Sequence, residues 1–201
     1  MPDASLPPEF IAELRELERH YLAAEDPIVG SGFHGGPERW EAERRPILDA
    51  VDRDAHLLDV GCANGYLLEC LVAWAAEDGY AIVPHGVDIG EELVARARKR
   101  LPAFADNLHV GNAWDWEPPR RYDVVYTIWD CVPADYLEAF VRRLLDQFVA
   151  PGGRFVLGAY GSRSRNERPF DVASFLKDIG LEVVDHRLVG APTAAFSWVD
   201  A

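Results

Sequence analysis

The sequence has few cysteines and lacks a long uninterrupted apolar run. Its three cysteines, Cys62, Cys70 and Cys131, are an odd number in apolar or glycine-rich surroundings, a pattern that favours reduced thiols over a disulfide framework or a zinc site. No apolar run approaches the ~20 residues that a membrane helix needs. The amino terminus also lacks the charged-then-apolar order of a secretory signal. We therefore expect a cytoplasmic protein with no membrane partner.

Positive charge is also scarce, and lysine is nearly absent. Asp and Glu number 34 against 20 Lys and Arg, so the formal net charge is -14. A surface this acidic repels phosphate backbones, which excludes duplex DNA and bulk RNA as expected partners. The candidates for a local basic patch are Arg142, Arg143 and the run from Arg163 to Arg168, and they are also typical of solvated surface charges. The length of 201 residues and the 49% hydrophobic content predict one globular domain.

One stretch organises the rest of the chain. The apolar run Leu57–Val60 predicts a buried strand, residues 61–65 predict a glycine turn, and the periodicity of Tyr66–Trp74 predicts a helix. Such a turn is a ligand cradle, because glycines let the backbone approach a bound molecule and a helix start offers free N–H groups. The glycines are spaced G-x-x-x-G rather than G-x-G-x-x-G. This spacing disfavours a nicotinamide-dependent oxidoreductase.

The string DVGCANG at this turn resembles the first motif of class I S-adenosylmethionine (SAM) dependent methyltransferases, (D/E)-x-G-x-G-x-G, with Ala63 at the middle glycine. Three later strings, HVGNAWDW, YDVVYTIWDCVP and VAPGGRFVLG, are similar to further segments of that family and follow in the same order. The resemblance covers about residues 50–200. An unrelated strand–turn–helix protein remains the alternative if the first motif is taken alone.

Strands and helices alternate from His56 onward, which is typical of a largely parallel sheet. We predict an α/β, Rossmann-like fold: a seven-stranded, mostly parallel sheet with an antiparallel last strand and helices on both faces. The short joint from Gly190 to Pro192 predicts a hairpin between the last two strands. Residues 1–52 are expected to form a helical extension that acts as a lid or as packing, and residues 53–201 the SAM-binding domain. In the extension we predict a helix over about Pro37–Val51 that Pro46 kinks or breaks. The sixth strand is predicted at Leu181–Val189.

Asp88 is the strongest cofactor-binding candidate. It ends the second predicted strand, Gly86–Ile89, where an acid in nucleotide-binding sheets accepts hydrogen bonds from two ribose hydroxyls. The alternative is an acidic cap on the following helix. By resemblance, Asn112 and Ala113 meet the adenine, Trp114 covers or underlies it, and the end of the fourth strand lies beside the methionine. The full predicted set is Asp59, Gly61, Cys62, Ala63, Gly65, Asp88, Ile89, Asn112, Ala113, Trp114, Thr127, Ile128 and Trp129.

Two residues are candidate catalytic bases. Asp130 follows the fourth strand and His34 lies in the glycine-rich loop GSGFHGG. A base is needed only where the acceptor is a hydroxyl or a protonated amine. Asp130 is alternatively a helix cap, and His34 is alternatively a solvated loop residue. We expect no metal, because the string AYGSRSRN lacks the Asp-Asn pair of the magnesium-dependent catechol enzymes, although its Tyr160 is placed to line the acceptor pocket.

The resemblance implies methyl transfer from SAM to an oxygen, nitrogen or carbon of a small-molecule acceptor. The six Trp, seven Tyr and nine Phe favour an aromatic or apolar acceptor. One alternative is a SAM-binding regulatory protein without turnover. Another is a protein or RNA methyltransferase, which needs a basic or grooved surface near the site. We expect a monomer or a homodimer.

Overall fold

A computed structural model describes residues 5–191 and 193–201. Residues 1–4 of the predicted extension and Pro192 of the predicted hairpin lie outside this part of the chain. The described residues form one seven-stranded sheet. Its strands are β1 (Ala55–Val60), β2 (Ile82–Asp88), β3 (Leu108–Val110), β4 (Tyr122–Ile128), β5 (Val149–Tyr160), β6 (Asp185–Val189) and β7 (Ala194–Asp200).

The strand order is β3-β2-β1-β4-β5-β7-β6. Strands β1 to β5 pair in parallel, whereas β7 runs antiparallel to both β5 and β6. This confirms the predicted fold class, including the reversed last strand. The order changes direction between β1 and β4, so the loops after these strands diverge and leave a crevice at their carboxyl ends.

In the described part of the chain, six α-helices cover the two faces of the sheet. They are α1 (Pro8–Ala23), α2 (Pro37–Arg44), α3 (Tyr66–Glu77), α4 (Glu91–Arg100), α5 (Leu137–Gln147) and α6 (Val172–Asp178). Side chains alternate along each strand, so Leu57 joins the core that includes α2, α3 and α4, while Leu58 joins the core beneath α5 and α6. None of the described helices is long and apolar enough to cross a membrane.

Several element bounds differ from the prediction. Strand β2 begins at Ile82, four residues before the predicted start, and contains Pro84. Proline is tolerated there because β3 pairs only with Gly86–Asp88, which leaves one side of the strand open at Pro84. Strand β6 begins at Asp185 rather than at Leu181, because the backbone N–H of Leu181 still closes the end of α6 through Leu176 O.

The predicted helix over Pro37–Val51 is interrupted, as Pro46 predicts. Helix α2 ends at Arg44 and a 3₁₀ segment, Arg45–Ala50, leads to β1. Proline lacks an N–H and its ring crowds the preceding turn, so the α-helical ladder stops there. The break directs Ile47 and Leu48 into the core under the sheet.

The amino-terminal segment is tied to the glycine turn and to α4. The Arg96 guanidinium donates to Leu22 O (2.6 Å) and Ala24 O (3.1 Å) at the end of α1. The Asn64 side chain donates to Pro27 O (3.0 Å) and accepts from the Ser31 hydroxyl (3.1 Å). These bonds place α1 and the following loop over the crevice.

Candidate functional site

Two adjoining cavities lie at the carboxyl ends of the parallel strands. The larger has a volume of about 590 Å³ and the smaller about 100 Å³. Tyr21 and Gly61 line both, so the two cavities meet at the glycine turn. The smaller one lies beneath α1, whose Leu14 and Leu17 face Asp88 across it. The predicted lid segment therefore contributes walls to this crevice.

Most predicted cofactor-binding residues line one of these cavities. Those at the larger cavity are Asp59, Gly61, Cys62, Ala63 and Ile128, and those at the smaller are Gly61, Asp88, Ile89, Asn112 and Ala113. Gly65, Trp114, Thr127 and Trp129 are not among the lining residues.

The turn after β1 needs unusual backbone conformations. Gly61 and Gly65 have φ of 90° and 74°, and Ala63 has φ of 45°, a left-handed value that alanine rarely adopts. A Cβ on Gly65 would lie 2.8 Å from the Cβ of Ala97 on α4. Gly65 therefore starts α3 and allows close packing on α4, rather than facing a ligand.

Asp88 holds the glycine turn from the end of β2. Its Oδ2 accepts from the backbone N–H of Ala63 (2.8 Å) and its Oδ1 accepts from that of Gly90 (2.8 Å). Burial raises the pKa of this carboxyl, while the two backbone donors act in the opposite direction. Each oxygen of an ionised carboxylate has a second lone pair. Asp88 can therefore support the turn and still accept two hydroxyl groups from the smaller cavity.

Asp59 is the most strongly perturbed acid of the site. It is 3% exposed at the end of β1 and lines the larger cavity. Burial, reinforced by the charge of Asp88, raises its pKa to about 8. The carboxyl is therefore mostly protonated at neutral pH, and a cationic group in the cavity would favour its ionised form.

Asn112 and Ala113 lie where the resemblance places the adenine, but Trp114 does not. The Asn112 side-chain oxygen accepts from the backbone N–H of Trp114 (3.0 Å) and closes a tight turn. This turn directs the indole away from the smaller cavity and into the core, where it packs edge-on against Tyr136 at 5.2 Å. Trp114 therefore lines neither cavity, which favours the alternative that it underlies the loop, and its contact with the cofactor stays a prediction.

The end of β4 likewise separates cavity-lining from structural residues. Tyr126 and Ile128 line the larger cavity, whereas the buried Thr127 hydroxyl donates to Val60 O at 3.1 Å. Successive strand residues point to opposite faces, which explains why Thr127 contacts β1 instead. The Trp129 ring stacks on Phe170 with centroids 4.6 Å apart. The side chains of Thr127 and Trp129 thus line neither cavity, and their contacts with a cofactor stay predictions.

Both predicted bases line the larger cavity. Asp130 lies at its rim, and burial raises the pKa of its carboxyl. His34 is exposed at the mouth, in the loop before α2. The structure thus brings two residues that are 96 positions apart in sequence to the same opening.

Several cavity residues were not predicted. Tyr21 lies at the junction of the two cavities, and burial raises the pKa of its phenol to about 12. Tyr126 is a second such residue, and its hydroxyl is hydrogen bonded at 2.9 Å to that of Tyr160, which was expected at the acceptor pocket and lines the larger cavity. Arg44 lies at the end of α2 and is buried in the same wall. The alternation of Tyr126 with Thr127 was a usable signal for Tyr126, whereas nothing local marks Arg44 or Tyr21.

Comparisons with known proteins agree with this geometry. Residues 57–153, which contain the glycine turn, Asp88 and all of β4, match the family model described as a methyltransferase domain. Over these residues, which make up just under half of the chain, it is similar to methyltransferase domains. The match begins within β1 and ends within β5, so the whole amino-terminal segment and the strands β6 and β7 lie outside it.

The individual methyltransferases that resemble this chain have low sequence identity to it. The chain is 29% identical over 126 residues to a trans-aconitate 2-methyltransferase from Acidovorax ebreus (strain TPSY); the match covers 58% of this chain but only 45% of that protein. The fold of the present protein is similar to that of a SAM-dependent methyltransferase from Aquifex aeolicus, with a TM-score of 0.61 and 16% identity. The match covers 94% of this chain and 97% of the Aquifex chain. The fold is also similar to that of DhpI in complex with S-adenosylhomocysteine (SAH), with a TM-score of 0.64 and 20% identity. That match covers 94% of this chain and 93% of the DhpI chain.

Proposed function

We propose that the protein is a SAM-dependent methyltransferase that acts on a small molecule. The observation that carries this proposal is the position of Asp88. Its carboxylate faces the smaller cavity, directly beside a glycine turn that opens into the larger one. An adenosine in the first cavity would therefore direct its sulfur substituent into the second.

The residues present fit this cofactor. Asp88 supplies acceptor oxygens for two ribose hydroxyls, and Asn112 and Ala113 bound the far end of the smaller cavity, where the adenine would lie. The apolar side chains of Leu14 and Leu17 would cover it from α1. When bound, SAM supplies a methyl group on a cationic sulfur that is already activated for in-line displacement.

The larger cavity fits a small acceptor. Its volume of about 590 Å³ lies within the ~300–1,000 Å³ that is usual for small-molecule sites. It is walled by the loop before α2, the ends of β4 and β5, and residues 161–165. The curated relative is named for a small molecule, trans-aconitate, which supports an acceptor of this size class.

The protein itself positions the acceptor, excludes water from the site and accepts a proton. The walls hold an acceptor in line with the methyl group and remove bulk water from both. Asp130 is the better placed base, because it follows the end of β4 and lies at the rim of the larger cavity. An acceptor that is already deprotonated needs no base, so this role depends on the acceptor. We propose that residues up to 52 serve as the lid.

Binding of SAH to purified protein tests the cofactor site directly. We expect isothermal titration to show saturable binding to the wild type. Asp88→Ala should weaken it by about tenfold to a hundredfold, because hydrogen bonds to a charged group contribute about 1.5–3 kcal/mol. Asp88→Asn should show an intermediate loss, since it keeps one acceptor oxygen.

The matched control is Asp123→Asn. Asp123 also accepts a backbone N–H, that of His56 at 2.8 Å, but lies at the opposite end of the strands. It should leave SAH affinity unchanged. If Asp88→Ala binds SAH as tightly as the wild type, the ribose lies elsewhere. If the wild type does not bind SAH, the proposed function is wrong. Formation of SAH from SAM with an acceptor panel then separates an enzyme from a SAM-binding regulatory protein.

A further inference from the structure

The wall of the larger cavity contains a buried arginine whose positive charge is not neutralised by a closely bound carboxylate. The residue Arg44 is only 6% exposed, and within the described residues its Nη1 has no hydrogen-bond partner. The nearest carboxylate oxygen is Glu43 Oε2, at 4.0 Å. Burying a charged donor without a close partner is costly, so such groups commonly await a ligand.

The neighbouring acid is already engaged by other groups. Glu43 is 1% exposed, and its Oε1 accepts from Arg39 Nε and from the Thr193 hydroxyl, both at 2.5 Å. Its Oε2 accepts a longer bond from Arg39 Nη2 at 3.3 Å. Glu43 therefore neutralises Arg39 first, and Arg44 keeps donor capacity toward the cavity.

Three aromatic rings hold the Arg44 guanidinium. Its Cζ lies 4.2 Å from the ring centroid of Phe33, 4.1 Å from that of Trp40 and 4.2 Å from that of Tyr160. These cation–π contacts stabilise the cation, but ring faces do not accept its in-plane N–H groups as a carboxylate does. The cage thus orients a planar donor and leaves it available for a planar anionic partner.

The position of Arg44 favours the acceptor over the cofactor. Tyr160, on which it stacks, ends β5, and β4 lies between β5 and the glycine turn of β1. Neighbouring strands are about 4.8 Å apart, so this part of the wall lies about 10 Å across the sheet from that turn. The smaller cavity, which we assign to adenosine, extends in the other direction, toward β2.

The charge of the cavity rim points the same way. In a chain of net charge -14, four arginines line this cavity, namely Arg39, Arg44, Arg163 and Arg165. They face three acids, Glu43, Asp59 and Asp130. Arg165 is paired with Glu167 at 2.8 Å and Arg39 with Glu43, so the positive charge of the opening comes mainly from Arg44 and Arg163. A positive opening on an acidic protein attracts small anions, which assists their entry.

We propose that Arg44 binds a carboxylate of the methyl acceptor, so that the substrate class is small organic acids. This inference rests on the proposed methyltransferase function. The guanidinium anchors the acid through charge-assisted hydrogen bonds, and the group to be methylated lies toward Ile128 and Asp130. Arg44 is thus a substrate-binding residue.

The test uses the protein saturated with SAH and matched pairs of probes. Succinate and benzoate are titrated calorimetrically beside their uncharged amides, succinamide and benzamide. We expect the wild type to bind at least one acid and neither amide. Arg44→Gln should weaken that acid by about tenfold to a hundredfold, the worth of a charge-assisted hydrogen bond. Arg44→Lys, which keeps the charge but not the planar fork, should recover part of the affinity.

The control is Arg142→Gln, which removes the same charge from an exposed position on α5. It should leave acid binding unchanged, and a thermal melt reports whether each variant is folded. Equal binding of acids and amides, or no binding of either acid at millimolar concentration, would overturn the inference. So would a tenfold loss of SAH affinity in Arg44→Gln, since the arginine would then hold the cofactor's own carboxylate. Failure of the wild type to bind SAH is a separate result that overturns the proposed function instead.

Discussion

Ala63 shows how a single residue can carry backbone strain at this site. Its φ of 45° is left-handed, and its N–H is fixed by Asp88 Oδ2. For a residue with a Cβ this conformation costs about 1–2 kcal/mol. The glycine that related motifs carry at this position would adopt it freely, so the strain belongs to this sequence rather than to the turn itself.

Ala63→Gly should therefore leave the free energy of unfolding unchanged or raise it by up to about 1 kcal/mol. Relief of strain outweighs the greater freedom of the unfolded chain, which costs about 0.4–1 kcal/mol. The matched control is Ala73→Gly on the exposed face of α3, where the same substitution should lower stability by about 1 kcal/mol. Urea unfolding of the two variants decides the matter. Equal losses in both would show that Ala63 is not strained.

At the residue scale, the alternation of side chains along a strand could have distinguished cavity-lining residues from core residues where the family resemblance treated them alike. Resemblance assigned Thr127, Ile128 and Trp129 together to the methionine, yet only Ile128 lines the cavity. The period of two in β4 places Tyr126 with Ile128 and sets Thr127 apart. Arg44 offered no such signal, because its role depends on rings contributed by residues 33, 40 and 160.

Among the elements, the clamp between the glycine turn and the preceding loop is the clearest link from fold to site. The Asn64 side chain is 3% exposed and makes hydrogen bonds with Pro27 O, the Ser31 hydroxyl and the backbone N–H of Tyr66. One side chain thus joins the start of α3 to the loop that carries Phe33 and His34. The order of this loop depends on the same turn that lies beneath the cavity.

Asn64→Ala should release that loop. We expect a loss of about 2–3 kcal/mol in stability, because several buried hydrogen-bonding groups lose their partner. Amide hydrogen exchange over residues 26–33 should become faster, and SAH affinity should fall. Asn107→Ala also removes an asparagine bond to a backbone carbonyl, Pro84 O at 3.1 Å, but far from this loop. Faster exchange of residues 26–33 in both variants would indicate general loosening rather than a specific clamp.

The elements themselves were largely predictable, whereas their convergence was not. Apolar periodicity and turn residues identified the strand–turn–helix around Gly61, the helix break at Pro46 and the reversed last strand. The start of β2 was missed because Pro84 and His85 interrupt its apolar pattern, and only the pairing with β1 shows that they belong to the strand. Much of the cavity wall comes from the segments 21–44 and 160–165, and periodicity carries no information about where such distant segments meet.

On the scale of the whole molecule, two buried groups make opposing contributions to the pH dependence of stability. Burial raises the pKa of Asp59 to about 8 and lowers that of His85 to about 4, the latter with help from His56 and Arg120. The folded state therefore binds an extra proton at Asp59 as the unfolded acid ionises above its ordinary pKa of about 4. It binds one proton fewer at His85 between pH 4 and the ordinary histidine pKa of about 6.5.

These two contributions cancel over one range of pH and not over the next. From pH 4 to 6.5, rising pH lowers stability through Asp59 and raises it through His85, each by about 1.4 kcal/mol per pH unit. The lowered pKa values of His56 and His109 act in the same direction as that of His85, and the raised pKa values of Asp88 and Asp130 act in the same direction as that of Asp59. Above pH 6.5 only Asp59 still changes, so wild-type stability should fall by about 2 kcal/mol between pH 6.5 and 8. Asp59→Asn should abolish this fall, and His85→Gln should extend it down to pH 4.

Urea unfolding at pH 5, 6.5 and 8 measures how stability changes with pH in the wild type and in the two variants. A wild-type slope above pH 6.5 that persists in Asp59→Asn would assign the effect to another group. Loss of the slope would show that the Asp59 carboxyl beside the cavity stays protonated in the folded state up to about pH 8.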